Sequence, residues 1–306
     1  MKCPVCNSNK TRFATTLPFR LPSDDINTDV WKCMDCGCYW RDIPGTIALK
    51  PHFEMAAYTD PEKEERWRRE RSVFFEHITR LALSAYRENG KRTRVLDVGC
   101  SYGHLLEKFD KAGCECDGIE PANRIRRKLN REGRFRVFEN IEDCLKRKET
   151  YDIVTVIDTL YYSPDPPAYL RQLKQAMTDR SIAVIRVTNR TPLLNFYLKW
   201  NSTGITNDIF GDQLFAFSHR SMKTMLGACD LHLISVKGFE RKPCDVSTGG
   251  AKYFLYYRIM PLIAAITGLK VTPGLIYLCR KKDLSSRSLL PPGKVIPMSR
   301  PLCGTA

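Results

Sequence analysis

Four cysteines open the chemical reading of this 306-residue chain. Cys3-Pro4-Val5-Cys6 and Cys33-Met34-Asp35-Cys36 are two CxxC pairs, and Gly37 follows the second. Each tight knuckle aims two thiolates at one point, and a tetrahedron of four soft ligands suits Zn2+. Such a shell is closed, so a metal held by Cys3, Cys6, Cys33 and Cys36 is structural. It stands in for the core that so short a segment cannot build. Gly37 allows the sharp turn after the second pair, and Cys38 is a fifth thiol nearby. A redox CxxC belongs at a strand–helix junction of an α/β layer, whereas these pairs flank a strand-rich spacer.

A second constellation is Val95-Leu96-Asp97-Val98 running into Gly99-Cys100-Ser101-Tyr102-Gly103, then into a helical stretch from His104. An apolar strand, a glycine turn and a helix make a nucleotide-type site. Gly99, with Cys100 beside it, lets backbone approach a ligand closely. Gly103 lets the helix begin against the strand with no side chain in the way. Asp97 places an anion at the strand end, where a cationic cofactor can be oriented through its amino group. Glu120, 21 residues after Gly99, ends the next apolar run and can accept both ribose hydroxyls of an adenosine. A nicotinamide enzyme would show GxGxxG, which this turn lacks.

Positioning these groups needs alternating elements. Strand-like runs fall at Val95–Val98, Cys116–Glu120, Arg136–Phe138, Ile153–Ile157 and Ile182–Val187. Helical stretches fall at Gly103–Ala112, Ala122–Arg131, Ile141–Arg147 and Ala168–Met177. That alternation implies an α/β fold, a parallel sheet with helices on both faces. Asp60 and Pro61 start a long amphipathic helix to about Arg87, read as bridging the two modules. An irregular section is expected from Asn189 to Phe217, except for a lid helix over Leu193–Trp200. Ser218 caps a helix to about Cys229, and Leu233–Val236 and Leu275–Cys279 are final strands. The division is 1–45 zinc ribbon, 46–90 linker and helix, 91–283 main domain, and 284–306 a proline-rich disordered tail.

The main-domain motifs resemble those of class I S-adenosylmethionine-dependent methyltransferases, in their small-molecule branch. Val95–Leu105 resembles motif I, with Ser101 in place of the commoner middle glycine. Gly118-Ile119-Glu120-Pro121 resembles the ribose-binding strand end. Tyr151–Leu160 resembles the fourth strand, with Asp158 beside the methionine moiety. Asp158–Pro166 resembles a D-x-L-E-H-x-x-D-P element, with Tyr161-Tyr162 where Glu-His is usual. Ile185–Asn189 resembles a fifth strand ending in P-N. Phe217–Met222 resembles an F-S-x-x-S-L helix entry, with Gln213 where a histidine is common. A zinc ribbon before such a domain recurs in this branch. The resemblance implies a Rossmann-like sheet, S-adenosylmethionine as cofactor and in-line methyl transfer. It implies Tyr161, Tyr162 and His219 as candidate bases, and places Asn140 at the adenine edge.

The acceptor implied is a small molecule, a saccharide or a lipid-linked compound. The alternative is RNA. The net charge of +15, the ribbon and the run Arg124, Arg126, Arg127, Lys128 and Arg131 favour it. No stretch of 18 uncharged apolar residues suggests a membrane span. The apolar run Tyr253–Leu269 offers a surface for docking on a membrane. The start of the chain lacks the apolar segment of a signal peptide. Thirteen cysteines, an odd number, argue against a disulfide framework. The location expected is therefore cytoplasmic.

Overall fold

The computed structural model describes residues 1–19, 25–43, 61–86, 92–199, 203–238 and 272–281, with Leu262 and Ile266. The 46–60 linker, Trp200, the Tyr253–Leu269 run and the 284–306 tail otherwise lie outside the described residues.

Strands β1 (Thr11–Phe19), β2 (Ile26–Cys33) and β3 (Tyr39–Asp42) form an antiparallel meander between and after the knuckles. Both knuckles close through a left-handed residue. Asn7 (φ 60°) sends its N–H to Cys3 C=O at 2.9 Å, and Gly37 (φ 75°) donates to Cys33 C=O at 3.0 Å. Asparagine and glycine tolerate that region, as the turn chemistry requires.

The main domain holds β4 (Arg94–Val98), β5 (Glu115–Ile119), β6 (Arg136–Phe138), β7 (Tyr151–Ile157), β8 (Met177–Thr188), β10 (Leu231–Gly238) and β11 (Gly274–Lys281). Their order in the sheet is β10-β11-β8-β7-β4-β5-β6. Neighbours from β8 through β6 run parallel, and β11 lies antiparallel to both β8 and β10. The chain steps outward from β4 through β5 to β6, then returns to β4's other side as β7 and β8. The reversal places a ligand crevice outside the carboxyl ends of β4 and β7.

Helices are α1 (Pro61–Ala85), α2 (His104–Lys111), α3 (Asn123–Glu132), α4 (Ile141–Leu145), α5 (Pro166–Gln175), α6 (Thr191–Lys199), α7 (Thr203–Phe210) and α8 (His219–Ala228), with a 3-10 turn at Leu160–Tyr162. Alternate strand residues divide between the faces. Val95, Ile153, Val184 and Ile276 pack with Phe75, Ile78, Leu105 and Phe109 of α1 and α2. Leu96, Val154, Ile185 and Tyr277 pack with Leu170, Leu173, Met222 and Met225 of α5 and α8. Period-two alternation on a sheet covered twice is why both phases are apolar. Each fully buried Phe or Ile contributes roughly 1.5–3 kcal/mol.

Three expectations change. The section 189–217 is not irregular: it holds α6, α7 and the short strand β9 (Phe215–Ala216). Met177 begins β8 rather than ending a helix, because Ala176 closes α5 one residue earlier. The ribbon also reaches the main domain by more than the α1 connection. β3 pairs antiparallel with β9, Tyr39 facing Ala216 and Trp40 facing Phe215.

Arg41 locks that joint. Its side chain is 4% exposed. It donates to Gln213 C=O (3.1 Å), Gly211 C=O (2.7 Å), Leu17 C=O (3.2 Å) and Thr28 Oγ1 (2.7 Å). The guanidinium lies over Phe19 and Phe210. Burial lowers its pKa to about 10, which leaves it charged near neutrality.

Candidate active site

A cavity of about 390 Å³ opens at the carboxyl ends of β4, β5 and β7. Asp97, Gly99, Cys100, Glu120, Pro121, Asn140, Asp158, Tyr161 and Tyr162 all line it. These residues span more than sixty positions of chain, and the sheet order brings them together. Gly103 lies just behind, as the left-handed cap of α2 (φ 77°), where an added Cβ would crowd Leu129 at 3.2 Å.

Asp97 is 3% exposed and accepts the Thr155 hydroxyl at 2.6 Å. Burial pushes its carboxyl up to about 7, against the pull of that hydroxyl, and Glu120 adds to the rise. Among the described residues no cation compensates it, so an ammonium group of a ligand is its natural partner. Glu120 is oriented by backbone. Its Oε2 accepts the Ser101 N–H at 2.9 Å and its Oε1 the Ala122 N–H at 2.8 Å. Burial raises its pKa, opposed by those two N–H groups. Each oxygen keeps a further lone pair for a hydroxyl of a ligand.

Gly99 adopts φ 73°, and an added Cβ would lie 2.3 Å from Thr159 Oγ1. The close approach that demands glycine is therefore to β7's own exit. Thr159 holds that position by donating to Val98 C=O at 3.1 Å. Cys100 turns inward over Gly118, which has room for nothing larger: a Cβ there would meet Cys100 Sγ at 2.6 Å. Ser101 sits at φ 48°, a glycine-like conformation that costs an L-residue about 1–2 kcal/mol. Its hydroxyl is buried without a partner among the described residues. Asn140 caps α4, its Oδ1 accepting the Asp143 N–H at 2.8 Å. Pro121 C=O accepts from Arg126 at 2.9 Å.

At the other end, Asp158 is a non-glycine residue at φ 58°. Its carboxylate is shared by Arg71 of α1 (2.7 Å) and Arg186 of β8. Burial alone would raise its pKa, yet the two guanidinium groups bring it below the ordinary value. Tyr161 and Tyr162 pack edge to face, ring centres 4.8 Å apart. Burial, with Asp158 adding to it, pushes the Tyr161 phenol far up, which favours its protonated, hydrogen-bond-donating form. Tyr162 Oη donates to Asp212 at 3.1 Å, and the Leu214 N–H donates to Tyr161 C=O at 3.0 Å. His219 is not among the cavity residues. It starts α8, where Ser218 and Ser221 form a capping box, and its Nδ1 shares a hydrogen bond with Tyr277 Oη at 3.2 Å.

Sequence reasoning missed Trp67, Arg71, Phe75, His104 and Tyr169, which also line the cavity. One signal was present: Arg71 interrupts the apolar stripe Trp67, Phe74 and Ile78 at helical spacing. Helix α1 is fastened over the site by Arg68 to Glu107, Lys108 to Glu76 and Lys128 to Glu64.

The four knuckle sulfurs lie within 4.8 Å of one another, with Cys3–Cys36 at 3.7 Å and Cys6–Cys33 at 3.5 Å. A tetrahedron of thiolates about 2.3 Å from zinc has edges of ~3.8 Å, so these residues fit that ion. Cys38 stands apart. Fully buried and raised in pKa by that burial, its thiol donates to Tyr39 C=O at 3.4 Å.

The cavity residues also fit an adenosyl sulfonium ligand. Asp97, Glu120, Glu139, Glu142 and Asp158 are carboxylates and Arg71 the one arginine among them, in a chain of net charge +15. The pocket thus has the opposite sign to the chain, which suits a cationic ligand. Fold and site together are those of a class I methyltransferase.

Comparison with known proteins agrees. A sequence model described as a methyltransferase domain matches residues 66–236, more than half of the chain. The chain belongs to that methyltransferase family. The ubiquinone biosynthesis O-methyltransferase of Actinobacillus pleuropneumoniae is 29% identical over 109 residues, 32% of this chain and 47% of that protein. That of Rhodopseudomonas palustris is 28% identical over 103 residues, 32% of this chain and 40% of that one. The chain thus spans about half the length of the curated relatives it matches. Among solved structures, a chain from the complex of the Haloferax volcanii Trm112 methyltransferase activator with a methyltransferase superposes with TM-score 0.51. It is 14% identical, covering 76% of this chain and 98% of that one. Magnesium protoporphyrin IX methyltransferase from Synechocystis, with bound SAH, gives TM-score 0.49 at 13% identity, covering 76% and 100%. At 14% identity the first of these likenesses is one of fold. Among the described residues no helix is long and apolar enough to cross a membrane.

Proposed function

We propose that the enzyme methylates a small-molecule acceptor, saccharide or lipid-linked compounds included, presented at the Tyr161–Tyr162 end of the cavity. The observation that carries this reading is the placement of Asp97 and Glu120 on adjacent strand ends, with the two tyrosines and Asp158 at the end of β7. Asp97 takes the cofactor's ammonium group and Glu120 its ribose hydroxyls. Gly99, Cys100, Gly103 and Pro121 shape the adenosyl seat, and Asn140 borders the adenine. Asp158 flanks the methionine moiety through its arginines. The bound cofactor supplies an activated methyl group, and the protein aligns the acceptor and excludes water. Tyr161 donates a hydrogen bond to the acceptor, and Tyr162 frames the entrance with Asp212. His219 supports the wall through Tyr277.

Zinc held by Cys3, Cys6, Cys33 and Cys36 is structural in this reading, and residues 1–45 are its ribbon. Residues 46–90 link it to the catalytic domain at 91–283, and 284–306 form a tail. Eleven cysteines are free among the described residues, which suits a reducing, cytoplasmic setting. The similarity to ubiquinone biosynthesis O-methyltransferases supports a small organic acceptor. The basic run on α3 gives RNA less support. Arg126 is spent on Glu139 and two carbonyl groups, and Lys128 on Glu64.

The test is methyl transfer from labelled S-adenosylmethionine into a fractionated cell extract, comparing wild type with Asp97→Ala. Label in the small-molecule or lipid pool is expected, and it should vanish in the variant. Label in RNA that is lost after ribonuclease would overturn the acceptor class.

A further inference from the structure

We propose that Tyr162 and Asp212 form a proton relay that takes the proton of a hydroxyl acceptor while its oxygen is methylated. The proposal rests on reading the Tyr161–Tyr162 end of the cavity as the acceptor seat.

Tyr162 lines the cavity, and its Oη donates to Asp212 Oδ1 at 3.1 Å. Asp212 is exposed. The pair therefore leads from the cavity wall to solvent. A phenol that gives its proton toward a carboxylate keeps oxygen lone pairs with which to accept another proton.

Asp212 is held where Tyr162 needs it. The carbonyls of both its neighbours, Gly211 and Gln213, accept from the Arg41 guanidinium at 2.7 and 3.1 Å. The Leu214 C=O accepts the Arg41 N–H at 2.9 Å, and the Leu214 N–H donates to Tyr161 C=O at 3.0 Å. Backbone pinned on both sides of Asp212 limits where its side chain points. An unpinned surface carboxylate spreads over many conformations, and ordering it against a phenol costs entropy.

The other titratable groups near this end suit proton acceptance less well. Asp158 is shared by Arg71 and Arg186, and those two guanidinium groups hold it below the ordinary carboxylate value. A carboxylate so held is a weak proton acceptor. Burial favours the protonated form of Tyr161. His219 shares its hydrogen bond with Tyr277 and is not among the cavity residues.

The chemistry balances. The new O–CH3 bond forms as the S–CH3 bond of the sulfonium breaks, and the bonding electron pair leaves on a neutral thioether. The acceptor's O–H proton passes to Tyr162 Oη, the Tyr162 proton passes to Asp212, and Asp212 releases it to water. One cation is consumed and one proton is released. A neutral amine attacks through a lone pair it already has, whereas a hydroxyl attacks well only as its proton is removed. The relay thus fits an alcohol or a phenol.

The experiment is label transfer from S-adenosylmethionine into the small-molecule and lipid pools of a cell extract, followed against pH. The label should sit on oxygen, so that hydriodic acid releases it as iodomethane. Asp212→Asn and Tyr162→Phe should each slow transfer near neutral pH by about 100-fold or more. That deficit should shrink by about tenfold per pH unit as the acceptor's own ionisation replaces the relay. The double variant should be no more than about twofold slower than either single one, because two members of one relay act as a unit. Asp212→Glu should restore part of the rate, and S-adenosylhomocysteine affinity in calorimetry should be the same in every variant. A deficit in Asp212→Asn that is equal at every pH makes Asp212 a support of the wall, and the relay is wrong. Label on nitrogen or carbon, or a wild-type rate in Asp212→Asn, overturns the relay and leaves the acceptor reading intact. Label in neither pool overturns both.

Discussion

The two ends of the cavity, the proposed cofactor end and the proposed acceptor end, are built on opposite plans. Around the cofactor seat, parts close in sequence hold one another through backbone. The Ser101 and Ala122 N–H groups aim Glu120. Around the acceptor end, parts distant in sequence are tied, two of the three ties running through side chains. Tyr162 is held by Asp212, Tyr161 by the Leu214 amide, and the 211–214 segment by Arg41 of the ribbon. One plan suits a ligand that never changes. The other leaves the acceptor wall dependent on a module more than a hundred residues away, so acceptor and cofactor binding should be separable by mutation.

The largest expected effect is that of Cys33→Ser. Zinc binding to a small four-cysteine module is worth on the order of 10 kcal/mol of folding free energy. The variant should lose its metal and expose the first forty-odd residues to protease. S-adenosylhomocysteine should still bind, and hydrogen exchange at β9 should rise. Metal-free wild type purified without chelator would remove the basis of this expectation.

Arg41→Met comes next. It strands the Gly211 and Gln213 carbonyls and should destabilise by roughly 2–4 kcal/mol in denaturant titration. Cofactor affinity should hold within about twofold, a bound smaller than any single lost hydrogen bond. A parallel loss of cofactor affinity would merge the two ends that the comparison separates.

Glu120→Ala tests the cofactor plan itself. Affinity for S-adenosylhomocysteine should fall by roughly 1–3 kcal/mol, the cost of leaving its ribose hydroxyls unpaired. Unchanged calorimetry would mean the ribose lies elsewhere.

The smallest effect is in pH. Asp97 titrates near 7 in the folded chain against an ordinary value of 3.8. The folded chain therefore holds a proton that the unfolded chain has released. The Asp97 contribution to stability is full below about pH 4 and lost as pH rises through about 7. Cofactor binding should move the other way, tightening through pH 7 as the carboxylate ionises to meet an ammonium. Asp97→Asn should flatten both profiles, and a wild-type binding curve flat from pH 6 to 8 would put the ammonium on another group.

Much of this was legible in the sequence. The strand–glycine–helix run at Val95–Leu105 and the paired knuckles are local patterns, dictated by backbone conformation and ligand geometry. Their residues came together as their types and spacing required. The lining role of Trp67 and Arg71 was not legible, because periodicity reports which face of α1 is buried and not what lies opposite. His219 shows the reverse failure. Its helix entry was read correctly, but only packing against β11 could reveal that the ring turns to Tyr277.

By itself the sequence determined the elements outside 200–217, the acid at each strand end and the metal-fitting cysteines, since short-range sterics and ligand chemistry act within a few residues. Tertiary structure alone decided that β9 extends the ribbon sheet, that Arg41 ties the ribbon to the acceptor wall and that α1 roofs the cavity. Those outcomes depend on how much buried surface and how many satisfied carbonyls competing dockings would yield, a sum over residues far apart in the chain.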